Sequence, residues 1–334
     1  PLLSFIFGKV DADVMDNSMV YFFYTVLSYP FIALYDAGAS IFRAQENTRG
    51  PMVISIISNV MNIVGNAVLI WVFHMGVAGA AISTLVSRIF CAVVVLYQLR
   101  KDRQPIVVRD YLKIRPDGNM IKRILALGVP SGVENSMFQL GKLVIQSTVS
   151  TLGTTAIAAQ AMTNILEMLN GTAVMGVGIG LMTVVGQSIG AGRRDEAVYY
   201  MKKLMAFAEV FLIACCAIVY ALSKPITMLG GMEPASAKMC LDMMFWITIV
   251  KPIVWMPAFI PAYGMRAAGD VRFSMITSCA SMWIFRFCLC VYLIRCCGMG
   301  PMAVWIGMFT DWTVRAIVFV LRFKSRKWME HQVV

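Results

Sequence analysis

The chain has 334 residues, of which 59% are hydrophobic and only 14% are charged, and its formal net charge is +11. A soluble domain carries roughly 25% charged residues, so this composition excludes an ordinary soluble protein. The sequence also lacks the alternating segments of about ten residues that a membrane β-barrel requires, which leaves an all-α polytopic membrane protein as the predicted class.

Long uncharged stretches predict nine full membrane-spanning helices, because about 20 consecutive apolar residues suffice to cross a bilayer. Residues 1–8 are interpreted as the end of a preceding span. In chain order, the nine predicted spans are residues 17–42, 51–73, 77–99, 121–151, 155–188, 198–222, 239–265, 272–295 and 301–321.

The Lys and Arg residues are divided unevenly between the two sides that alternating spans would create. Four lie on one side, and 20 lie on the other, in segments 43–50, 98–123, 190–203, 266–272 and 322–334. Because cytoplasmic loops carry the excess of basic residues, we expect a multi-pass protein of the plasma (inner) membrane with a cytoplasmic C-terminus. This topology and contact with lipid headgroups explain the net charge, and no nucleic-acid partner is expected.

A short pattern occurs twice in the chain. Residues 43–52 and 266–275 share Arg, Ala, Arg and Met in register, 223 positions apart, and each copy lies between two apolar stretches. Internal repeats of this kind are typical of secondary transporters. The second copy begins near Met120, so we expect roughly 100 residues of the first copy to precede Pro1 in an untruncated chain.

The polar stretch at residues 98–123 separates the two copies. It contains two prolines and eight basic residues, and it is too polar to cross the bilayer. Because both copies run in the same direction, we expect two parallel-repeat helical bundles. The predicted division is the remainder of an N-terminal lobe at 1–99, a cytoplasmic basic linker at 100–120, and a C-terminal lobe at 121–334 with a short cytoplasmic tail.

Six segments in a fixed order carry a resemblance to a known family. They read FRAQENTRGPMVISIISNVMNIVGNAVLI, GVAGAAISTLVSRI, GVPSGVENSMFQLGK, AAQAMTNILEMLNG, VGQSIGAGRRDEA and YGMRAAGDVRF. The set resembles the MATE family (multidrug and toxic compound extrusion) of the MOP flippase superfamily. This resemblance implies twelve helices in two six-helix lobes around a central cleft, with the end of helix 3 to helix 6 in residues 1–99 and helices 7–12 in residues 121–334.

Polar side chains inside the spans indicate the candidate site, because burying them in a membrane is costly. Spacings of three and four residues place the members of each set on one helical face. The set in span 121–151 is Asn135, Gln139, Lys142 and Gln146, with Glu134 at its edge, and the set in span 155–188 is Gln160, Asn164 and Glu167. We expect Lys142 to pair with Glu167 or Glu134. The cluster either fixes packing by neutralising itself or binds a cation or proton.

The resemblance adds an expectation for Glu134. In MATE relatives an acid on the seventh helix resembles Glu134 and takes part in ion coupling, although in several relatives it lies about one turn deeper, where this chain has Phe138. Some relatives add an acid on the tenth helix, and this chain has Lys251 in that span. The resemblance therefore allows Na⁺ near Glu134, assigns no metal firmly, and leaves the coupling ion as Na⁺ or H⁺.

Other polar residues and prolines in the spans have local interpretations. Asp36 shares a helical face with Arg43, and a functional and a structural role are both open for it. Asn59, Asn62 and Asn66 are expected to join helices by hydrogen bonds, and Asp311 is expected to pair with Arg315. The helix-bending residues proposed for a gate are Pro130, Pro252, Pro257 and Pro261.

Two functions are compatible with these features. The first is a monomeric secondary antiporter that exports small organic, cationic compounds in exchange for H⁺ or Na⁺ by alternating access, without a cofactor. The alternative is a flippase for lipid-linked oligosaccharide or polysaccharide, which a basic cleft with Lys142 and Lys251 would favour. The sequence contains no HExxH motif and no nucleophile elbow, so an enzyme is not expected.

Overall fold

The structure is a computed structural model that describes residues 12–101, 106–107 and 117–330. The regular secondary structure in these residues is helical throughout. Three predictions fall outside the described residues, wholly or in large part: the preceding span at 1–8, the basic linker and the end of the cytoplasmic tail.

The chain divides into two compact units, Pro1–Arg115 and Pro116–Val334, and each is described by itself. In the first unit, helix α1 covers Ala12–Ala44, α2 covers Arg49–Ala67 and α3 covers Gly76–Leu99. Helix α2 continues into a π-helical turn at Val68–Val72.

In the first unit, α3 packs against both α1 and α2. Phe42, Ile54, Val95 and Leu99 form the buried apolar contact between these helices. Polar contacts also cross it, because Asn62 Nδ2 donates to Thr84 Oγ1 at 3.2 Å. This geometry agrees with the predicted role of Asn62 as a hydrogen-bonding residue between helices.

The second unit contains seven helices in its described part. Asp117 caps the first of them, because its carboxylate accepts hydrogen bonds from the backbone amides of Asn119 and Met120. The helices are α4 (Gly118–Val149), α5 (Thr154–Gly190), α6 (Arg194–Leu229), α7 (Pro234–Ala267), α8 (Val271–Ser281), α9 (Leu289–Arg295) and α10 (Met302–Lys324). A π-helical segment, Met282–Cys288, joins α8 to α9 as one continuous span.

Eight of the nine predicted spans coincide with helices that are long and apolar enough to cross a membrane in the described part of the chain. The ninth predicted span lies in α4, a helix of 32 residues whose mean hydropathy is too low for it to count as a membrane span by the same measure. The polar stripe along α4 lowers its mean hydropathy. The described residues therefore form a multi-pass, all-helical membrane protein.

Packing in the second unit centres on α7, which lies against α5, α6 and α10. Small residues allow close approach at these contacts, as expected for membrane helices. A Cβ atom at Gly178 would lie 2.8 Å from the Tyr263 ring, and one at Gly264 would lie 2.8 Å from Met201 Sδ. On the other side of the unit, α4 packs against α8, and Gly141 faces the tip of Met282.

Candidate functional site

The second unit contains a cavity of about 670 Å³ between five helical segments. Side chains from α4, α5, α7, the π-helical segment and α10 line it. Cavities of roughly 300–1,000 Å³ are typical of sites for small organic molecules. We refer to it below as the C-unit cavity.

One wall of the C-unit cavity is polar and comes from α4 and α5. Helical spacing aligns the side chains of each helix toward the cavity, as the sequence pattern predicts. The predicted site residues on this wall are Gln139, Lys142, Gln146, Gln160, Asn164 and Glu167. The structure therefore brings six of the predicted residues together.

Gln160 connects this wall to α10. Its side chain is buried, its Nε2 donates to Asn164 Oδ1 at 3.2 Å, and its Oε1 accepts a hydrogen bond from Trp305 Nε1 at 3.0 Å. A satisfied buried amide of this kind holds two helices in a fixed register. The polar wall is therefore held in place by hydrogen bonds between helices.

Glu167 pairs with Lys251 of α7, and the expected pairing of Lys142 with Glu167 or Glu134 is wrong. The Lys251 Nζ lies 2.5 Å from Glu167 Oε1 and also donates to the Glu167 backbone carbonyl at 2.9 Å. Lys251 is fully buried, and its ammonium lies 5.2 Å from the centre of the Trp255 ring. Helical spacing identified the charged residues but not the partner helix, and α7 packs closely on α5.

Lys142 points into the cavity from α4 without a carboxylate at ion-pair distance among the described residues. Its ammonium lies 5.2 Å from the centre of the Phe138 ring. The other cation in the lining is Arg286, whose guanidinium lies 5.5 Å from the same ring. Glu167 is the single carboxylate in the described lining, and Lys251 neutralises it, so the cavity has an excess of positive charge.

Arg286 lies on the π-helical segment, and its backbone is held against α10. A Cβ atom at Gly307 would lie 2.9 Å from the Arg286 carbonyl oxygen, so only glycine allows this approach. The side chain is 6% exposed, and its Nε has no hydrogen-bond partner in the described structure. Single π-helical turns inside α-helices are frequent at functional sites.

A buried network joins α10 to α8, the helix that precedes this segment. Arg315 Nε donates to Asp311 Oδ1 at 2.7 Å, and Arg315 Nη2 donates to the Ser278 carbonyl at 2.9 Å. Ser281 Oγ also donates to Asp311 Oδ1. The predicted Asp311–Arg315 pair is therefore present, and its contacts join α10 to α8.

The other side chains of the lining are mostly aromatic or apolar. Sequence reasoning assigned neither these side chains nor Arg286 to the site. A signal was available, because Trp255 and Phe259 are four residues apart, as are Met308 and Trp312, and each pair shares a helical face. These side chains include Phe138 of α4 as well as Trp255, Phe259, Val304, Met308 and Trp312 of α7 and α10.

Glu134 lies outside the C-unit cavity and pairs with Arg266 at the end of α7. The Arg266 Nη2 lies 2.7 Å from Glu134 Oε1, and Glu134 is buried. Arg266 belongs to the repeated pattern, and this contact gives that arginine a partner on α4. The Arg266 guanidinium already binds one of the two carboxylate oxygens of Glu134. Binding of Na⁺ near Glu134 stays a prediction.

The remaining predicted residues are not brought into the cavity lining. Asn135 is exposed on α4 and donates to the Ser131 carbonyl at 2.9 Å. Asp36 is exposed on α1, in the first unit. The prolines predicted to act in a gate lie inside continuous helices, namely Pro130 in α4 and Pro252, Pro257 and Pro261 in α7.

Membrane-length helices around a polar and aromatic cavity are typical of membrane transporters. Two family models match the sequence: MatE over residues 130–292 and Lipid II flippase MurJ over residues 2–114. Over residues 130–292 the chain is therefore similar to the MATE family, whose members are transporters and not enzymes.

Similar proteins have names that agree with this family. The chain is 24% identical over 312 residues to the Probable multidrug resistance protein NorM of Thermotoga maritima, covering 92% of this chain and 66% of the relative. It is 26% identical over 343 residues to the Uncharacterized transporter YisQ of Bacillus subtilis, covering 99% of this chain and 72% of the relative. The chain thus spans about two thirds to three quarters of the length of these relatives.

Solved structures with the same fold include a crystal structure of MATE in complex with MaL6. It has a TM-score of 0.85 at 18% identity and covers 97% of this chain and 73% of that chain. An outward-facing MATE transporter of the MOP superfamily gives 0.84 at 18% identity, with 95% and 71% covered. At these identities, the agreement establishes the fold.

Proposed function

We propose that the protein is a secondary active antiporter that exports small organic compounds in exchange for H⁺ or Na⁺. The observation that carries this proposal is the C-unit cavity. It lies among membrane-length helices and combines hydrogen-bonding amides, charged groups and aromatic rings, a lining suited to solutes that are partly apolar. The names of several relatives, among them the Probable multidrug resistance protein YoeA of Bacillus subtilis, support export of drug-like compounds.

Glu134 and Glu167 are the proposed coupling carboxylates. Each is paired with a cation of α7, Arg266 and Lys251 respectively. Protonation of either carboxylate, or binding of Na⁺ to it, would weaken its ion pair and release the basic side chain of α7. Ion binding would thereby be coupled to the contact of α7 with α4 or α5. In this scheme the prolines of α7 permit it to bend during alternating access.

Transport by purified protein in proteoliposomes tests this proposal. We expect ethidium efflux, or efflux of another member of a panel of charged and neutral dyes, when an inward proton or sodium gradient is imposed. Glu134→Gln should reduce gradient-driven efflux at least about tenfold while leaving expression and folding intact. The matched control is Glu233→Gln, since Glu233 is exposed and lies outside the cavity lining. Efflux that ignores both gradients would contradict antiport.

A flippase for lipid-linked oligosaccharide or polysaccharide is the second candidate. The MurJ match and the two cations in the C-unit cavity favour it, because lipid-linked sugars carry phosphate groups. Proteoliposomes containing a fluorescent prenyl-phosphate sugar distinguish the two functions. A flippase makes the inner-leaflet probe accessible to an impermeant reductant, whereas an antiporter for soluble compounds leaves it protected.

The orientation and assembly of the protein are part of the same proposal. We propose that it lies in the plasma membrane as a monomer, with the basic loops and the C-terminus in the cytoplasm. The distribution of Lys and Arg supports this orientation. Cationic substrates stay a prediction for the whole protein. The excess positive charge of the C-unit cavity favours an anionic ligand in that cavity.

A further inference from the structure

We propose that the C-unit cavity binds the anionic group of an amphiphilic aromatic compound, with Arg286 and Lys142 as the groups that contact the anion. This inference rests on the proposed function in one respect, since it takes the cavity as a substrate site. It goes further by assigning the substrate class. The ligand is an organic anion with one sulfonate or carboxylate attached to an aromatic ring system.

The balance of charge in the cavity supports an anion. The described lining contains two cations, Lys142 and Arg286, and one carboxylate, Glu167. Glu167 is neutralised by Lys251 at 2.5 Å, so the two lining cations have no carboxylate of their own. Two cations in one cavity attract an anion and repel a second cation, and both effects grow as the effective dielectric constant falls below that of water.

Arg286 has unused hydrogen-bonding capacity. It is 6% exposed, and its Nε has no partner among the described residues. Asp311 and Glu167 attract it electrostatically, but their carboxylates are hydrogen-bonded to Arg315 and Lys251. A buried guanidinium without a bound partner is costly, and an oxyanion in the cavity would supply the missing acceptor.

The rest of the lining suits the aromatic part of such a ligand. Trp255, Phe259 and Trp312 line the cavity from α7 and α10. Flat aromatic compounds stack well on such rings, and the amides of Gln139 and Gln146 can donate to further oxygens of the anion. The cavity volume of about 670 Å³ is sufficient for a bicyclic compound.

Equilibrium binding with two probes of opposite charge tests the inference. The probes are 2-naphthalenesulfonate and trimethyl(2-naphthyl)ammonium, which share a ring system, and titration calorimetry uses the purified protein in nanodiscs with empty nanodiscs as the blank. We expect the sulfonate to bind at least about tenfold more tightly than the ammonium compound, a difference of about 1.4 kcal/mol. Equal or tighter binding of the ammonium compound would overturn the inference.

Variants assign the binding to the two cations. Lys142→Gln and Arg286→Gln should each weaken sulfonate binding about tenfold or more, and Arg286→Lys should restore part of the loss. The control is Arg295→Gln, because Arg295 ends the same span, is exposed and does not line the cavity. If Arg286→Gln does not fold, Lys142→Gln decides, since Lys142 is exposed to the cavity. Unchanged affinity in Lys142→Gln would refute the assignment.

The two proposals fail in different ways. Gradient-driven efflux without preference for the sulfonate would reject the anion site and keep the antiporter. Preference for the sulfonate without gradient-driven efflux would reject the antiporter and keep the anion site.

Discussion

Three buried charges in the described part of the second unit have a particular partner on another turn or helix. Lys251 pairs with Glu167, Arg266 with Glu134 and Arg315 with Asp311. The local pair, four residues apart on α10, could be predicted from spacing. The other two could not, because spacing fixes the face of a helix but not the depth or identity of the helix that packs against it.

The Lys251–Glu167 pair gives a prediction about stability. Lys251→Met leaves a largely buried carboxylate without its partner, so we expect the free energy of unfolding to fall by about 3 kcal/mol. Thermal unfolding in detergent measures the change. Adding Glu167→Gln to Lys251→Met should restore most of the loss, since the unpaired charge is then removed.

Lys238→Met is the control for this pair. Lys238 lies on the same helix but is exposed, so its replacement should leave the unfolding temperature almost unchanged. A Lys251→Met protein as stable as the parent would show that the pair adds nothing to the fold.

The helices themselves follow from the sequence, and their irregularities do not. The periodic polar faces of α4 and α5 were predicted and line the cavity together. The predicted span 198–222 is shorter than α6, Arg194–Leu229, because hydropathy detects the apolar centre and not the polar ends of a helix. The π-helical segment at Met282–Cys288 has no simple sequence signature, and its backbone at Arg286 lies close to Gly307 of α10.

Gly307 provides a test of that approach. Gly307→Ala places a methyl group 2.9 Å from the Arg286 carbonyl oxygen, which forces the backbone to shift. We expect a loss of about 1–3 kcal/mol in unfolding free energy. Sulfonate binding should also weaken, because Arg286 is displaced.

Gly180→Ala serves as the comparison for Gly307→Ala. Gly180 lies inside α5 with no neighbouring atom near an added Cβ, so alanine there should be neutral or slightly stabilising. An effect of the same size at both positions would mean that the contact between Gly307 and the Arg286 carbonyl has no special importance.

At the scale of the whole molecule, composition and charge establish the class of the protein, and the ordered motifs predict its family. The family and the helical fold were predicted correctly. The net charge of the cavity was not predicted, because it depends on which basic residue pairs with Glu167. Only the packing of the helices shows that this residue is Lys251.

The orientation of the membrane spans can be measured by cysteine labelling. Cys296 and Cys297 are exposed between α9 and α10, and Ser325 follows α10. With all other cysteines replaced, we expect an impermeant maleimide to label Cys296 and Cys297 in intact cells. Ser325→Cys, in a chain lacking those two, should react only after the cells are opened. The reverse pattern would place the C-terminus outside.

The contacts between glycine and methionine in the second unit have a consequence for oxidative damage. Met201 and Met282 are buried, and each fills the space left by a missing side chain, at Gly264 and Gly141 respectively. A sulfoxide oxygen on either thioether would need room that the facing helix does not leave, and repair enzymes cannot reach a sulfur inside a folded bundle. Peroxide would therefore damage these positions chiefly before the helices assemble, and a chain oxidised at that stage could not close its core.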